Sequence, residues 1–318
     1  MKGKILLLLA LPVIGYVGAK LYLHIQVGKT IDSIVAQVAP FADVSYESVT
    51  STFDGRIGVS NVKIRPRFID DEVRIQEVSF KLPSMKYLLD LETRVQNQDP
   101  PEELSIRVHN VAVSTRGNLV QAWEDQMFAD DSQARLTALD NCVTRSNLPT
   151  QMYLLDYEEI RGSFEVGYYY DSNRGHFVVH GTVGQLEAYE FSGELAVVMA
   201  SFNSFAMMTA LSNPQIARAS LEITDKGYFE RVFDYCATDS ALSRQDVIAL
   251  LTAELLTMFD DLPMKPDQPL VDAYTRFIAE GTKLTITADP LEPQQLQYLS
   301  LYAPEDVPAL LNIRTQVN

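Results

Sequence analysis

The sequence lacks most of the residues and motifs on which enzyme active sites are built. Its 318 residues include only two cysteines, four histidines and one tryptophan. Neither the G-x-S-x-G turn of α/β-hydrolases nor the H-E-x-x-H helix of zinc proteases occurs. No glycine-rich phosphate loop accompanies a predicted strand. We therefore predict a protein without catalytic residues, without a metal site and without a cofactor.

Basic residues are scarce relative to acidic ones. Lysine and arginine number 26 against 42 aspartates and glutamates, and the formal net charge is −16. Nucleic-acid binding depends on clustered cations that neutralise phosphates. The composition therefore opposes nucleic acid as a partner, and an anionic membrane surface would repel the body of the protein. The apolar content of 47% is nevertheless ample for a packed core.

Long apolar runs are absent except at the N-terminus. The segment Ile5–Ala19 carries no charge and follows Lys2 and Lys4, which positive-inside bias holds in the cytoplasm. We predict a transmembrane signal anchor over residues 1–25, and the alternative is a signal peptide cleaved after Ala19. Both readings export the body to the periplasm, and the anchor makes the chain a single-pass protein of the bacterial inner membrane. The positions expected in the membrane include Ile5, Leu8, Leu11, Ile14 and Val17.

The two cysteines, Cys142 and Cys236, lie far apart in the sequence. In an oxidising compartment, an even and small number of cysteines favours a disulfide. Zinc is the alternative, but two isolated cysteines lack the C-x-x-C spacing of a zinc site. We therefore predict a disulfide between them.

One apolar spacing occurs three times between residues 45 and 115. The copies are 57–64, 73–80 and 106–113, each with apolar residues at positions 1, 3, 6 and 8. Alternation at period two places one face of a strand against a core, and the extra residue in the middle shifts that alternation. A β-bulge would let both halves turn their apolar side chains the same way. The alternative is that each copy forms two short strands.

The rest of the chain reads as blocks of helix and strand. A helix is expected at 119–139, then a hairpin that turns at Asp171–Gly175 and strands near 182–189, 192–201 and 216–225. Ser243 and Asp246 resemble a capping box that opens a helix. The elements expected toward the C-terminus are helices at 227–236, 243–260 and 271–280, a strand at 283–288, short helices at 293–299 and 304–311, and a strand at 313–317.

Segregated strands and helices predict an α+β fold. We expect curved antiparallel sheet with separate helical segments, preceded by the transmembrane helix. The expected regions are a first β-rich region at 26–116, a helical insertion at 117–160, and a second sheet with helices at 161–318. His176 and His180 resemble a metal pair, but in a strand they lie about 13 Å apart, which is too far to share one ion.

Three short segments carry a resemblance to known proteins. They are Val44–Tyr46, the phrase Gly55-x-Ile57-x-Val59-x-Asn61-Val62-x-Ile64, and the phrase Gly281-Thr-Lys-Leu284-x-Ile286-x-Ala-x-Pro290. Together with the N-terminal anchor, this layout resembles the AsmA-like and DUF945 (YdgA-like) membrane-anchored envelope proteins of bacteria. The resemblance implies a periplasmic β-rich body with a hydrophobic concave side, linked to outer-membrane assembly or phospholipid traffic.

These observations lead to three functional hypotheses. The first is a non-enzymatic envelope protein that binds a lipid or a partner's strand in an apolar groove of its sheet. The alternative for the same residues is that they pack into a solid core and leave no groove. The second is a scaffold that docks envelope machinery through its acidic surface, and the third is an envelope hydrolase. The residues expected on the concave face are Val59, Val62, Ile64, Val73, Ile75, Val78 and Phe80.

Overall fold

The computed structural model describes residues 25–127 and 152–318, with gaps of one or two residues inside these ranges. The predicted anchor positions Ile5, Leu8, Leu11, Ile14 and Val17, and Cys142, lie outside the described residues. No helix in the described ranges is long and apolar enough to cross a membrane.

The described part of the chain folds into one large antiparallel sheet with helices. The strands are β1 Ala42–Ser45, β2 Ser48–Ser51, β3 Arg56–Pro66, β4 Val73–Lys81, β5 Glu103–Ser114, β6 Glu159–Asp171, β7 His176–Gln185, β8 Tyr189–Val198, β9 Gln215–Asp225, β10 Lys283–Ala288, β11 Gln294–Gln295 and β12 Ile313–Val317. The helices are α1 Asn118–Met127, α2 Ser204–Ser212, α3 Tyr228–Asp239, α4 Arg244–Met258, α5 Gln268–Glu280 and α6 Val307–Leu310, with a 3-10 helix at Leu296–Leu301.

The strand order follows the chain with few departures. From β3 to β10 each strand pairs with the next one in the sequence, and β12 completes that side beside β10. Strands β1 and β2 both pair with β3, and β11 pairs with β9. This confirms the α+β class and the antiparallel sheet. The predicted regions 26–116 and 161–318 contribute neighbouring strands, β5 and β6, to this sheet.

Local sequence explains several element boundaries. At the β6–β7 turn, the Asp171 carboxylate accepts hydrogen bonds from the backbone N–H groups of Asn173 and Arg174. Gly175 then takes a positive φ of 65°, which glycine adopts without strain. The capping box predicted at Ser243 and Asp246 is confirmed at the start of α4. The sequence analysis missed α2, because it assigned no element between the strands expected at 192–201 and 216–225.

The repeated spacing forms three adjacent strands. Each copy lies in one continuous strand, β3, β4 or β5, so the alternative of two short strands is wrong. The predicted bulge is confirmed where the register between β5 and β6 shifts between Val108 and Val111. Strands β3, β4 and β5 stay in register with one another because all three carry the extra residue at the same level. The residues left out of the pairing at that level are Asn61, Gln76 and Asn110, which we call the bulge row.

Helices α2–α6 pack on one face of the sheet. Residues that pair directly across antiparallel strands point to the same side, so the register assigns each contact to a face. The core under α3–α5 and the core under α2 both use the side of the sheet that carries the repeated apolar residues. Their sheet residues include Tyr189, Ile223 and Leu284 in the first core and Tyr168, Phe177 and Val197 in the second.

Cys236 is completely buried in the core under α3–α5 and forms a disulfide. Because its predicted partner Cys142 lies outside the described residues, the Cys142–Cys236 pairing stays a prediction.

Candidate functional site

An apolar part of the sheet remains uncovered between the two helical cores. Seven large apolar side chains there are between 36% and 53% exposed. They belong to strands β4, β6, β7, β8 and β9, and the register places them on the helix-bearing face. We call this surface the apolar strip, and its members are Phe80, Phe164, Val166, Val183, Phe191, Leu195 and Leu221.

The strip is built from residues that meet across neighbouring strands. In one row, Val183 pairs with Phe164 on one side and with Phe191 on the other. Cross-strand neighbours of this kind have Cβ atoms about 5 Å apart, so their side chains form a continuous surface. Scattered apolar residues are normal on a protein surface, whereas a contiguous apolar patch marks a binding site or an interface.

The next row of the strip has glycines at its centre. Gly181 and Gly193 pair with each other, and their outer neighbours are Val166 and Leu221. An added Cβ at Gly193 would meet the Ser220 carbonyl oxygen at 3.4 Å, an ordinary contact, so neighbouring atoms do not demand glycine at this position. The two glycines instead leave this row without side chains at its centre, with larger apolar side chains on both sides.

The helical cores border the strip on its two sides. The core under α3–α5 includes Tyr189 and Ile223, and the core under α2 includes Tyr168 and Val179. Burial raises the pKa of the Tyr168 and Tyr189 phenols, so both borders remain uncharged at neutral pH. From β4 to β9 the strip crosses five strand spacings, or about 24 Å.

The seven residues predicted for the concave face all lie on the helix-bearing side. The pairs Val59–Val78, Val62–Ile75 and Ile64–Val73 place them there directly. Six of the seven are buried or half-buried, and Phe80 is exposed and belongs to the strip. Most of the uncovered surface therefore lies over β6–β9, further along the sheet than the sequence analysis placed it. The alternating apolar residues of β6–β8 were visible in the sequence, but their exposure depends on where the helices pack.

The opposite face of the sheet is polar and salt-bridged. Its cross-strand ion pairs join Arg107 to Glu165, Lys226 to Glu190 and Lys283 to Glu222. These side chains are partly exposed, and ion pairs of this kind contribute little to stability. Apolar residues such as Val178 and Ala196 also lie on this face, where they are buried.

Metal-ligating residues were also considered. Across the described ranges, no group of three or more histidine, cysteine, aspartate or glutamate side chains could hold a metal ion. His176 and His180 both lie on β7, as predicted, and the His180 ring contacts the Tyr169 ring at a centroid distance of 6.1 Å.

Two comparisons with known proteins bear on the chain. Residues 173–318 match the model of a protein family described as "Uncharacterized protein". This match covers less than half of the chain and runs from the turn before β7 to the end of the printed sequence. No curated protein matches the chain. The resemblance to the AsmA-like and DUF945 envelope proteins therefore stays a prediction.

Proposed function

We propose that this protein is a non-enzymatic, inner-membrane-anchored periplasmic protein of the bacterial cell envelope that binds a lipid acyl chain on its apolar strip. The observation that carries the proposal is the uncovered strip between the two helical cores. The N-terminal apolar run supports the proposed membrane location, since an anchor there would hold the body next to a bilayer that supplies the ligand.

The dimensions of the strip suit an acyl chain. One chain spans about half of the 30 Å hydrocarbon core of a bilayer, or about 15 Å, and the strip is longer than that. Each methylene group removed from water contributes about 0.8 kcal/mol. The absence of side chains at Gly181 and Gly193 lets an acyl chain approach the backbone at the centre of the strip.

Photo-crosslinking tests this proposal in the full-length protein. A phospholipid with a photoreactive group in its acyl chain is incorporated into membranes that contain the protein, and the crosslinked peptides are mapped by mass spectrometry. We expect adducts on β6–β9 at strip residues such as Val183 and Phe191. Adducts confined to the N-terminal run, with none on the strip, would contradict the proposal.

A matched pair of variants separates shape from hydrophobicity. Gly193→Val fills the centre of the strip while keeping it apolar, so crosslinking on β6–β9 should fall. Ser192→Val adds the same side chain one residue away, on the polar face, where Ser192 pairs with Thr182. Crosslinking in the Ser192→Val variant should match that of the unmodified protein, and an equal loss in both variants would point to a general effect on folding.

A further inference from the structure

A cavity lies on the polar face, at the bulge row. It has a volume of about 460 Å³ and is bordered by strands β3–β6. All three bulge-row amides line it, together with cationic side chains from β3, β4 and β6. The lining residues used below are Asn61, Gln76, Asn110, Lys63, Arg74 and Arg161.

The sheet register assembles three cations that are distant in sequence. Lys63 pairs with Arg74, Arg74 pairs with Ala112, and Ala112 pairs with Arg161. Directly paired residues share a face, so these cations form one row beside the bulge row. Ala112, which lies between the two arginines, has a small side chain and is buried. A cationic row of this kind is unexpected in a chain whose net charge is −16.

The charges in this row are only partly neutralised. Arg74 and Arg161 both donate to the Glu159 carboxylate, so the two guanidinium groups converge on one anionic group. Lys63 has no ion-pair partner among the residues that the structure describes. Glu159 is not part of the cavity lining, and the carboxylate that does line it, Glu47, accepts a hydrogen bond from the Asn61 amide. The cavity therefore carries an excess of positive charge.

The bulge row leaves one polar atom without a partner. Asn110 donates from Nδ2 to Gln76 Oε1 over 3.1 Å, whereas its Oδ1 is buried and accepts no hydrogen bond. A buried unpaired acceptor costs about 1–3 kcal/mol, and a bound group that donates to it recovers that cost. A hydroxyl group both donates and accepts, so it suits the Asn110 amide in either orientation.

Asn61 and Asn110 also share a left-handed backbone with φ of 52°, and strained conformations cluster at ligand sites.

We propose that this cavity binds a phosphate ester that carries a free hydroxyl group, as glycerol phosphate does. The phosphate would lie against Lys63 and the two arginines, and the hydroxyl would bond to Asn110. Because the cavity and the apolar strip lie on opposite faces of the sheet, the proposal is independent of acyl-chain binding. The same chemistry occurs in a soluble ester and in a phosphatidylglycerol headgroup.

Calorimetric titration tests the site directly. The full-length protein, held in phosphatidylcholine nanodiscs, is titrated with glycerol 3-phosphate, inorganic phosphate and glycerol. Glycerol 3-phosphate should bind most tightly, because it alone offers both groups. Lys63→Gln should weaken its binding about tenfold, the effect of losing one charge-assisted hydrogen bond. Asn110→Gly, which keeps the left-handed backbone, should weaken it about three- to tenfold.

A control variant and a second nanodisc composition complete the experiment. Arg218 lies on the same polar face, pairs with Glu194 and is not part of the cavity, so Arg218→Gln should leave the affinity within about twofold. A lower apparent affinity in nanodiscs that contain phosphatidylglycerol would identify the lipid headgroup as the natural ligand, and an unchanged affinity would identify the soluble ester. Absence of binding, or binding that Lys63→Gln and Asn110→Gly leave unchanged, would overturn the proposal.

Discussion

The bulge row makes a prediction in which two neighbouring residues respond in opposite ways to the same pair of substitutions. Asn110 has a left-handed backbone, whereas Gln76, its neighbour on β4, has a negative φ. Alanine is strained in the left-handed region by about 1–2 kcal/mol, and glycine is not. In an ordinary strand, glycine is less favourable than alanine by about 0.5–1 kcal/mol because it loses more backbone entropy on folding. Which of the two variants, glycine or alanine, has the larger free energy of unfolding is therefore expected to depend on φ at the substituted position.

We expect Asn110→Gly to be more stable than Asn110→Ala by about 1 kcal/mol. At Gln76 the order reverses, and Gln76→Ala should be more stable than Gln76→Gly by about 0.5–1 kcal/mol. Each pair removes the same hydrogen bond between the two amides, so the loss of that bond cancels within the pair. Equilibrium urea unfolding of the four variants measures both differences. Alanine more stable than glycine at both positions would refute the left-handed bulge at Asn110.

Three further predictions concern the core, the helix cap and the disulfide. Phe277→Ala removes a side chain that is 1% exposed and should lower the free energy of unfolding by about 3–5 kcal/mol. Phe205 lies on the outside of α2 and is 77% exposed, so Phe205→Ala should change the free energy of unfolding by less than about 0.5 kcal/mol. Urea unfolding of the two variants measures both changes. The hydrogen bond from the N-cap serine lowers the pKa of Asp246 below its ordinary value of 3.8, so the carboxylate stabilises the fold above that value and this contribution disappears as the pH falls through the lowered pKa. Thermal unfolding measured against pH should show a smaller acid dependence in Asp246→Asn, and an identical dependence would contradict this. Non-reducing mass spectrometry should find Cys142 linked to Cys236, and reduction should cost about 4–5 kcal/mol by the chain-entropy relation, whereas two free thiols would contradict the pairing.

Strand patterns were the part of the fold that the sequence predicted well. The spacing shared by residues 57–64, 73–80 and 106–113 predicted three strands with an irregularity at their centre, and β3, β4 and β5 have it. The strands at 283–288 and 313–317 are confirmed at the predicted residues. These features depend on the local alternation between apolar and polar residues, which can be recognised from the sequence alone.

Features that depend on pairing between distant segments could not be predicted. Lys63, Arg74 and Arg161 form a row only because β3, β4, β5 and β6 adopt one particular register. Helix α2 was missed because its residues are apolar on all sides and show no helical periodicity. The exposure of Val183 and Phe191 follows from where α2 and α3–α5 pack, and one strand pattern is compatible with either a covered or an open surface.

The strand order has a consequence for how such a sheet can change in length. From β3 to β10 every strand pairs with its sequence neighbour, so no pairing in this series depends on a strand that arrives from elsewhere in the chain. Inserting a hairpin between two neighbours would extend the sheet by two strands and leave the other registers intact. Both the apolar strip and the polar face would grow by the same two spacings, about 10 Å. A meander of this kind can therefore vary the length of its surfaces in hairpin steps without a change of architecture.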